Sequence, residues 1–275
     1  MSSMQWLVRI GSDDAADTAL RVGGALAQRL GAYLDGVEIV PLPPAAFSVP
    51  EAVPMQMDTL QRRYAHACER DAWFAQRLDV LHLQGRWHAA QGDASSVLCH
   101  MAAAYELLIL ARCDDHRDTP LGYGTVSRSV FGCRCPVLIL PEDLPQEASC
   151  GERILVAWNG SREATLALRG ARPLLARAAH VRILDGSDDA ERVDPMRPPT
   201  LHLQEWLDRQ GIAAIIEPFR PEGASGPAIE ARARDDDADL IVMGAWGRSR
   251  LAELVLGGAT RHLFGQRTLP LLVAH

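Results

Sequence analysis

The chain has 275 residues, of which 35 are acidic and 28 are basic, so its formal net charge is −7. This mildly acidic balance, without any basic tract, argues against nucleic acid or an anionic membrane surface as a partner. The sequence contains no apolar run of about 18 residues and begins without the pattern of a signal peptide. We therefore expect a cytoplasmic protein of roughly two domains.

The first half predicts alternating strands and helices. Short apolar runs predict strands, and apolar residues at helical spacing predict helices. A long amphipathic stretch separates the second strand from the third. In chain order these segments are Trp6–Ile10, Ala15–Leu30, Leu34–Val40, Met55–Leu83, Trp87–Ala90, Ala94–Ala104, Leu107–Leu110 and Pro136–Ile139.

The second half repeats this alternation. Its segments are Ile154–Trp158, Arg162–Ala178, Val181–Leu184, Ala213–Glu217, Pro227–Asp236, Leu240–Met243 and Leu271–Val273. Apolar strands that alternate with helices indicate a parallel sheet covered on both faces. We predict an α/β protein with two tandem five-stranded parallel-sheet domains, at residues 1–146 and 151–275.

The two halves are related by an internal repeat. An offset of 133 residues aligns the segment from Glu106 to Gly132 with that from Asp239 to Gly265. Near the start of each half the offset is 149 residues, so the first half carries about sixteen extra residues in its middle. A repeat of domain size indicates a tandem duplication.

A glycine-rich loop in the second half is the candidate ligand site. In open parallel sheets, ligands bind beyond the carboxyl ends of strands at a point where the strand order reverses. Gly244 and Gly247 would let the backbone approach a ligand or take positive φ. Gly257 and Gly258 open the last helix, whose free N–H groups favour an anion, and Thr260 adds a hydroxyl. Glycines also occur in turns and helix caps for structural reasons. The loop alone therefore does not decide between phosphate binding and a purely structural role of its glycines.

The loop resembles that of the universal stress protein family, and the chain resembles the tandem form of that family over nearly its whole length. In the nucleotide-binding branch, the motif Gly-x2-Gly-x9-Gly-[Ser/Thr] wraps the phosphates of ATP. Gly244, Gly247 and Gly257 match this motif. Gly258 stands where the family has Ser or Thr, while Thr260 matches a hydroxyl found two residues later. The resemblance implies that both domains are Rossmann-like, of the adenine-nucleotide hydrolase-like type. It also implies a loop that holds ATP with one hydroxyl fewer.

The two halves differ in how well they match the nucleotide-binding residues of this family. The family places an Asp-Gly-Ser sequence after the first strand, near the nucleoside, and the second half has Asn159 and Gly160 there. The first half has Ile10 at the equivalent position, and Ala111 and Asp114 replace the early glycines of its loop. Negative charge near the phosphates opposes binding. We therefore expect ATP in the second half only, with any Mg²⁺ arriving on the nucleotide.

The sequence carries no recognisable catalytic signature. His202, His262 and His275 could approach the candidate site, but such histidines are more often structural. We expect no enzyme beyond slow ATP hydrolysis, because no general base is apparent; an unrecognised hydrolase is the least favoured alternative. Cys133 and Cys135 form the one close cysteine pair. They fit either a redox or metal pair or small structural side chains, and we favour the structural interpretation.

The leading hypothesis is a cytoplasmic stress-response protein that binds an adenine nucleotide and acts as sensor or regulator toward an unidentified protein partner. The alternative is a nucleotide-free interaction scaffold of the same fold. The family resemblance further implies that residues 137–140 pair with residues 271–273, which would give an internal pseudo-dimer and remove two exposed sheet edges. Association of two chains into a homodimer is left open.

Overall fold

The computed structural model describes residues 4–11, 18–42, 53–112, 124–141, 144–187, 201–245 and 258–275. The strands in these ranges are β1 Gln5–Arg9, β2 Tyr33–Val40, β3 Trp87–Gln91, β4 Leu107–Ala111, β5 Val137–Leu140, β6 Arg153–Trp158, β7 His180–Asp185, β8 Ile215–Pro218, β9 Leu240–Gly244 and β10 Leu271–Ala274. The helices are α1 Thr18–Leu30, α2 Val53–Glu69, α3 Asp71–Val80, α4 Ala94–Ala102, α5 Thr125–Gly132, α6 Arg162–Gly170, α7 Arg172–Leu175, α8 Leu203–Gln210, α9 Ser225–Asp235 and α10 Gly258–Gly265. None of these described helices has the length and apolar character that crossing a bilayer requires.

The first compact unit contains the described residues up to Ala111 and the segment Gly124–Cys135. Its strands follow the order β3-β2-β1-β4, and every neighbouring pair is parallel. Helix α1 packs on β1 and β4, while α2 packs on β2 and β3. Because helices cover the sheet, the central strands carry apolar side chains on both faces, and Leu7 and Leu108 are completely buried.

The second compact unit contains Arg112 and the described part of residues 136–275. Its strands follow the order β5-β10-β9-β6-β7-β8. The pairs among β6 to β10 are parallel, whereas β5 is antiparallel to β10, with Leu138 opposite Leu272. The predicted pairing of residues 137–140 with residues 271–273 is therefore confirmed, and the tandem α/β fold class is confirmed with it. The internal pseudo-dimer itself stays a prediction.

Two predicted helical stretches are interrupted. The stretch Met55–Leu83 forms two helices, α2 and α3, which meet at Arg70. The stretch Arg162–Ala178 forms α6 and the short α7, which carries Pro173 in its first turn. Proline has no N–H to continue the hydrogen bonds of a preceding helix, so α6 ends before it. Helical spacing alone did not reveal either break.

Candidate functional site

The candidate site lies at the carboxyl ends of β6 and β9. These strands are neighbours, with Ala157 opposite Met243, and β7 flanks β6 on its other side. From β6 the chain continues to β7 on one side of it, whereas the later strand β9 lies on the other side. The strand order therefore reverses at β6, which makes this edge a topological switch point. Ligands of doubly wound sheets bind at such a point.

A tight turn joins β6 to α6. The side-chain oxygen Oδ1 of Asn159 accepts a hydrogen bond from the Ser161 N–H at 3.1 Å. Gly160 has a φ of 66°, a left-handed conformation that favours glycine. The Ser161 hydroxyl oxygen then accepts from the Ala164 N–H at 3.1 Å and caps the helix. The predicted residues Asn159 and Gly160 thus form the turn at the switch point, and Asn159 is exposed there.

Gly244 ends β9 beside this turn. A Cβ atom at Gly244 would lie 2.4 Å from the backbone nitrogen of Ala164 and 2.7 Å from the carbonyl carbon of Glu163. Its φ is not among the positive ones. Position 244 therefore requires glycine for packing, because β9 approaches the start of α6 too closely for a side chain. The structure does not show the positive φ that sequence analysis considered for this residue.

The last two residues of the motif, Gly258 and Thr260, lie in the first turn of α10. Gly258 is exposed, and a Cβ atom there would meet nothing within 4 Å. Thr260, two residues later, is buried, with 5% of its surface exposed. Gly247 and Gly257 lie outside the described residues. The structure thus brings Asn159, Gly160 and Gly244 to one edge and places Gly258 and Thr260 in the first turn of α10.

Two of the three histidines named from the sequence, His262 and His275, have structural partners. His275 Nδ1 donates to the backbone oxygen of Ala245 at 3.0 Å, directly after β9. His262 Nε2 lies 2.5 Å from a carboxylate oxygen of Glu230, and this contact joins α10 to α9. Both imidazoles are engaged by the fold, which agrees with the structural interpretation of these residues.

The equivalent edge of the first unit is covered by its own side chains. Arg70 donates to the Gly11 carbonyl oxygen at 2.7 Å and to a carboxylate oxygen of Glu38 at 2.5 Å. Arg70 and Glu38 are only 4% and 5% exposed. The guanidinium carbon also lies 4.4 Å from the centre of the Trp73 ring. A buried ion pair with a stacked aromatic ring thus occupies the end of β1, where Gly11 is the equivalent of Gly160.

Arg70 and Glu38 are not among the site residues predicted from the sequence. The strand registers pair Arg9 with Val37 and Trp158 with Asp185, so Glu38 corresponds to Gly186 in the second unit. A signal for Glu38 was present, since it is a charged residue within an otherwise apolar strand segment. No comparable signal marked Arg70, because an arginine between two exposed helical stretches resembles any solvated residue.

The fold and this edge define a class of protein. It is a tandem α/β protein with parallel sheets, and its second sheet has a switch point of the kind at which such sheets bind ligands. Residues 151–275 match the sequence model of the universal stress protein family. The match assigns residues 151–275 to this family. For the first half the comparisons show the same fold alone, so a tandem arrangement of two such folds is confirmed.

Two solved structures show this fold over the whole chain. A universal stress protein from Archaeoglobus fulgidus DSM 4304 is 17% identical with a TM-score of 0.71, and the alignment covers 100% of this chain and 99% of that one. A functionally unknown protein from Pseudomonas aeruginosa PAO1 is 18% identical with a TM-score of 0.61, covering 99% and 92% of the two chains. No curated protein matches the sequence. At these identities the likeness concerns the fold alone.

Proposed function

We propose that the second half of this protein binds ATP at the carboxyl edge of β6 and β9 and acts as a nucleotide-dependent sensor or regulator in a cytoplasmic stress response. The observation that carries the proposal is the close approach of Gly244 to the start of α6, directly after the Asn159–Ser161 turn at the switch point. The chain continues from Gly244 into the segment that matches the family's phosphate-binding motif. The nucleoside would lie against the turn, and the phosphates would lie along the loop toward α10.

The start of α10 supports the phosphate end of this proposal. Free N–H groups and the helix dipole make a helix start favourable for negative charge. The first turn contains no acidic residue, and Gly258 is exposed with open space around it. Arg261 follows on an exposed position, and no ion pair involves it within the described part of the chain. A cation in the first turn would attract a polyphosphate further.

The first unit supports a stoichiometry of one nucleotide per chain. Arg70 and Glu38 fill the end of β1, so a ligand there would have to break a buried ion pair. Removing one member of such a pair is costly, because the other charge remains buried. Gly186, the equivalent of Glu38 in the second unit, carries no side chain, and a Cβ there would make ordinary contacts at 3.5 Å and beyond.

Hydrolysis is not expected to be fast. His262 is engaged by Glu230, and His275 is engaged by the Ala245 carbonyl. A general base must reach the attacking water with a free lone pair. Any Mg²⁺ would arrive on the phosphate oxygens, which suit its preference for oxygen ligands. The proposed output is a change in binding to a protein partner. With slow hydrolysis, this binding would depend on whether a nucleotide is bound rather than on how fast it is hydrolysed.

The test is to denature freshly purified protein, identify released nucleotides by mass spectrometry, and titrate ATP into the stripped protein. The chain offers a matched pair of variants, Gly247→Asp and Asp114→Gly, which exchange the residues at equivalent loop positions. We expect close to one ATP or ADP per chain, lost in Gly247→Asp and unchanged in Asp114→Gly. No released nucleotide and no binding at millimolar ATP would instead favour the interaction scaffold.

A further inference from the structure

Two cysteines from different helices meet in the first unit. Cys99 lies on α4, and Cys133 directly follows α5. Although 34 residues separate them in sequence, their Sγ atoms lie 3.3 Å apart, with the Cys133 thiol donating to the Cys99 sulfur. Along the sequence, the cysteine nearest to Cys133 is Cys135. The structure gives Cys133 a different sulfur partner.

The local packing leaves room for this contact. A Cβ atom at Gly132 would lie 2.6 Å from the Cys99 Sγ, so the glycine before Cys133 admits the sulfur. The Cys99 thiol also lies 3.9 Å from the Arg128 carbonyl oxygen and 4.0 Å from that of Ser129. From a separation of 3.3 Å, the sulfurs need to approach by little more than about 1 Å to reach disulfide length.

The two thiols differ in access to solvent. Cys133 is 5% exposed, whereas Cys99 is half-buried. Burial, with a smaller contribution from the hydrogen bond to Cys99, raises the pKa of the Cys133 thiol. Burial also raises the pKa of Cys135 to about 11. A small oxidant therefore reaches the sulfur of Cys99 more readily, while Cys133 stays protonated behind it.

We propose that Cys99 and Cys133 are a reversible oxidation site that forms a disulfide on exposure to hydrogen peroxide. The Cys99 sulfur, having released its proton to water, attacks one peroxide oxygen. The O–O bond breaks, the S–O bond of a sulfenic acid forms, and the departing hydroxide takes a proton from solvent. Cys133 then attacks the Cys99 sulfur, and its thiol proton leaves with the displaced hydroxide as water.

The balance is two thiols and one peroxide giving one disulfide and two waters. The bond would tie α4 to the end of α5 and close a loop that contains β4 and residues 113–123. Dithiothreitol would restore both thiols. This site lies in the first unit and does not depend on nucleotide binding in the second half.

The test uses the full chain, oxidised with hydrogen peroxide, alkylated, and digested with trypsin without reduction. Cleavage after Arg134 separates Cys133, on peptide 129–134, from Cys135, on peptide 135–153, while Cys99 lies on peptide 87–112. We expect peptides 87–112 and 129–134 to be linked, with a mass lower by two hydrogens and separation by dithiothreitol. Linkage of 129–134 to 135–153 or to 113–117, or an alkylated Cys133 after oxidation, would overturn the proposal.

Variants test the order of the two steps. In Cys133→Ser the sulfenic acid has no partner, so dimedone should label Cys99 after peroxide treatment. In Cys99→Ser we expect no label on Cys133. The matched control is Cys68→Ser, which removes an exposed cysteine and should leave the 87–112 to 129–134 linkage unchanged. Dimedone labelling of Cys133 in Cys99→Ser, with none on Cys99 in Cys133→Ser, would contradict the assignment of Cys99 as the attacking sulfur.

Discussion

The guanidinium of Arg112 donates a hydrogen bond to the backbone carbonyl oxygen of Phe264, in the last turn of α10. It also reaches the carbonyl oxygen of Leu263 at 3.4 Å. Burial lowers the pKa of Arg112 to about 10, which leaves it charged at neutral pH. A cation at the end of a helix satisfies carbonyl groups that lack helical partners. Arg112 therefore anchors the helix whose first turn carries the candidate phosphate contacts.

Replacing Arg112 by alanine should destabilise the second unit. Hydrogen bonds from a charged donor contribute roughly 1.5–3 kcal/mol, and Arg112→Ala should lower the free energy of unfolding by about that amount. Urea denaturation followed by circular dichroism measures the change. The equivalent position in the repeat is Ala245, so alanine is compatible with the backbone conformation at such a site. An unchanged denaturation midpoint would show that α10 does not need this anchor.

A methyl group at Gly244 should destabilise the protein whether or not ATP is present. The added Cβ would lie 2.4 Å from the Ala164 nitrogen, and overpacking of this kind costs roughly 1–3 kcal/mol. The matched control is Gly265→Ala, because a Cβ at Gly265 meets nothing within 4 Å. Thermal unfolding of both variants without nucleotide is the measurement. Equal stability of Gly244→Ala and wild type would contradict the packing role.

Serine at Gly258 should strengthen ATP binding. The family has a hydroxyl residue at this position, and a side chain meets nothing within 4 Å here. One added neutral hydrogen bond contributes roughly 0.5–1.5 kcal/mol, or about a two- to tenfold gain in affinity. Calorimetric titration of Gly258→Ser, with Gly258→Ala as the control for side-chain bulk, measures the effect. Equal affinities of these two variants would place the phosphates away from this position.

Arg261 and Arg128 occupy equivalent positions but should respond differently to alanine substitution. Arg128 pairs with Asp93 at 2.9 and 3.0 Å. The pKa of Asp93 is lowered mainly by hydrogen bonds from Ser95 and Ser96, with a smaller contribution from Arg128. Arg261 faces solvent at the start of α10.

We expect Arg261→Ala to weaken ATP binding by about 1 kcal/mol, roughly fivefold, and more at low salt. Arg128→Ala should leave ATP affinity unchanged, which makes it the matched control. Titrations at two salt concentrations check both variants. Equal losses in the two would mean that the effect is general electrostatics rather than a contact at α10.

Removing Arg70 should strongly destabilise the first unit. Arg70→Ala leaves the Glu38 carboxylate buried without the cation 2.5 Å away, which typically costs about 3–5 kcal/mol. The double variant Arg70→Met with Glu38→Met should recover much of this loss, because no buried charge remains. Arg77→Ala, an exposed arginine 5.8 Å from the same Trp73 ring, is the control. Loss of stability no greater than that of Arg77→Ala would contradict the buried-pair account.

The strands and the repeat could be predicted from the sequence because their signals are local. The runs Leu107–Leu110 and Leu240–Met243 are apolar throughout, as strands covered on both faces must be, and they become β4 and β9. The order of glycines and hydroxyl residues after β9 was enough to indicate the family that the comparisons confirm for residues 151–275. The helix breaks at Arg70 and before Pro173 were missed because apolar spacing indicates helical character without showing where one helix ends and the next begins.

The contacts between distant residues were decided by the tertiary structure. The Arg70–Glu38 pair joins residues 32 apart, and the Cys99–Cys133 contact joins residues 34 apart. Gly244 shows the same limit, because its need for a bare backbone comes from α6, which lies far from it in sequence. Sequence patterns report which residues are apolar, small or charged along one segment. Which segments touch depends on how helices pack across a sheet, and that arrangement exists only once the chain has folded.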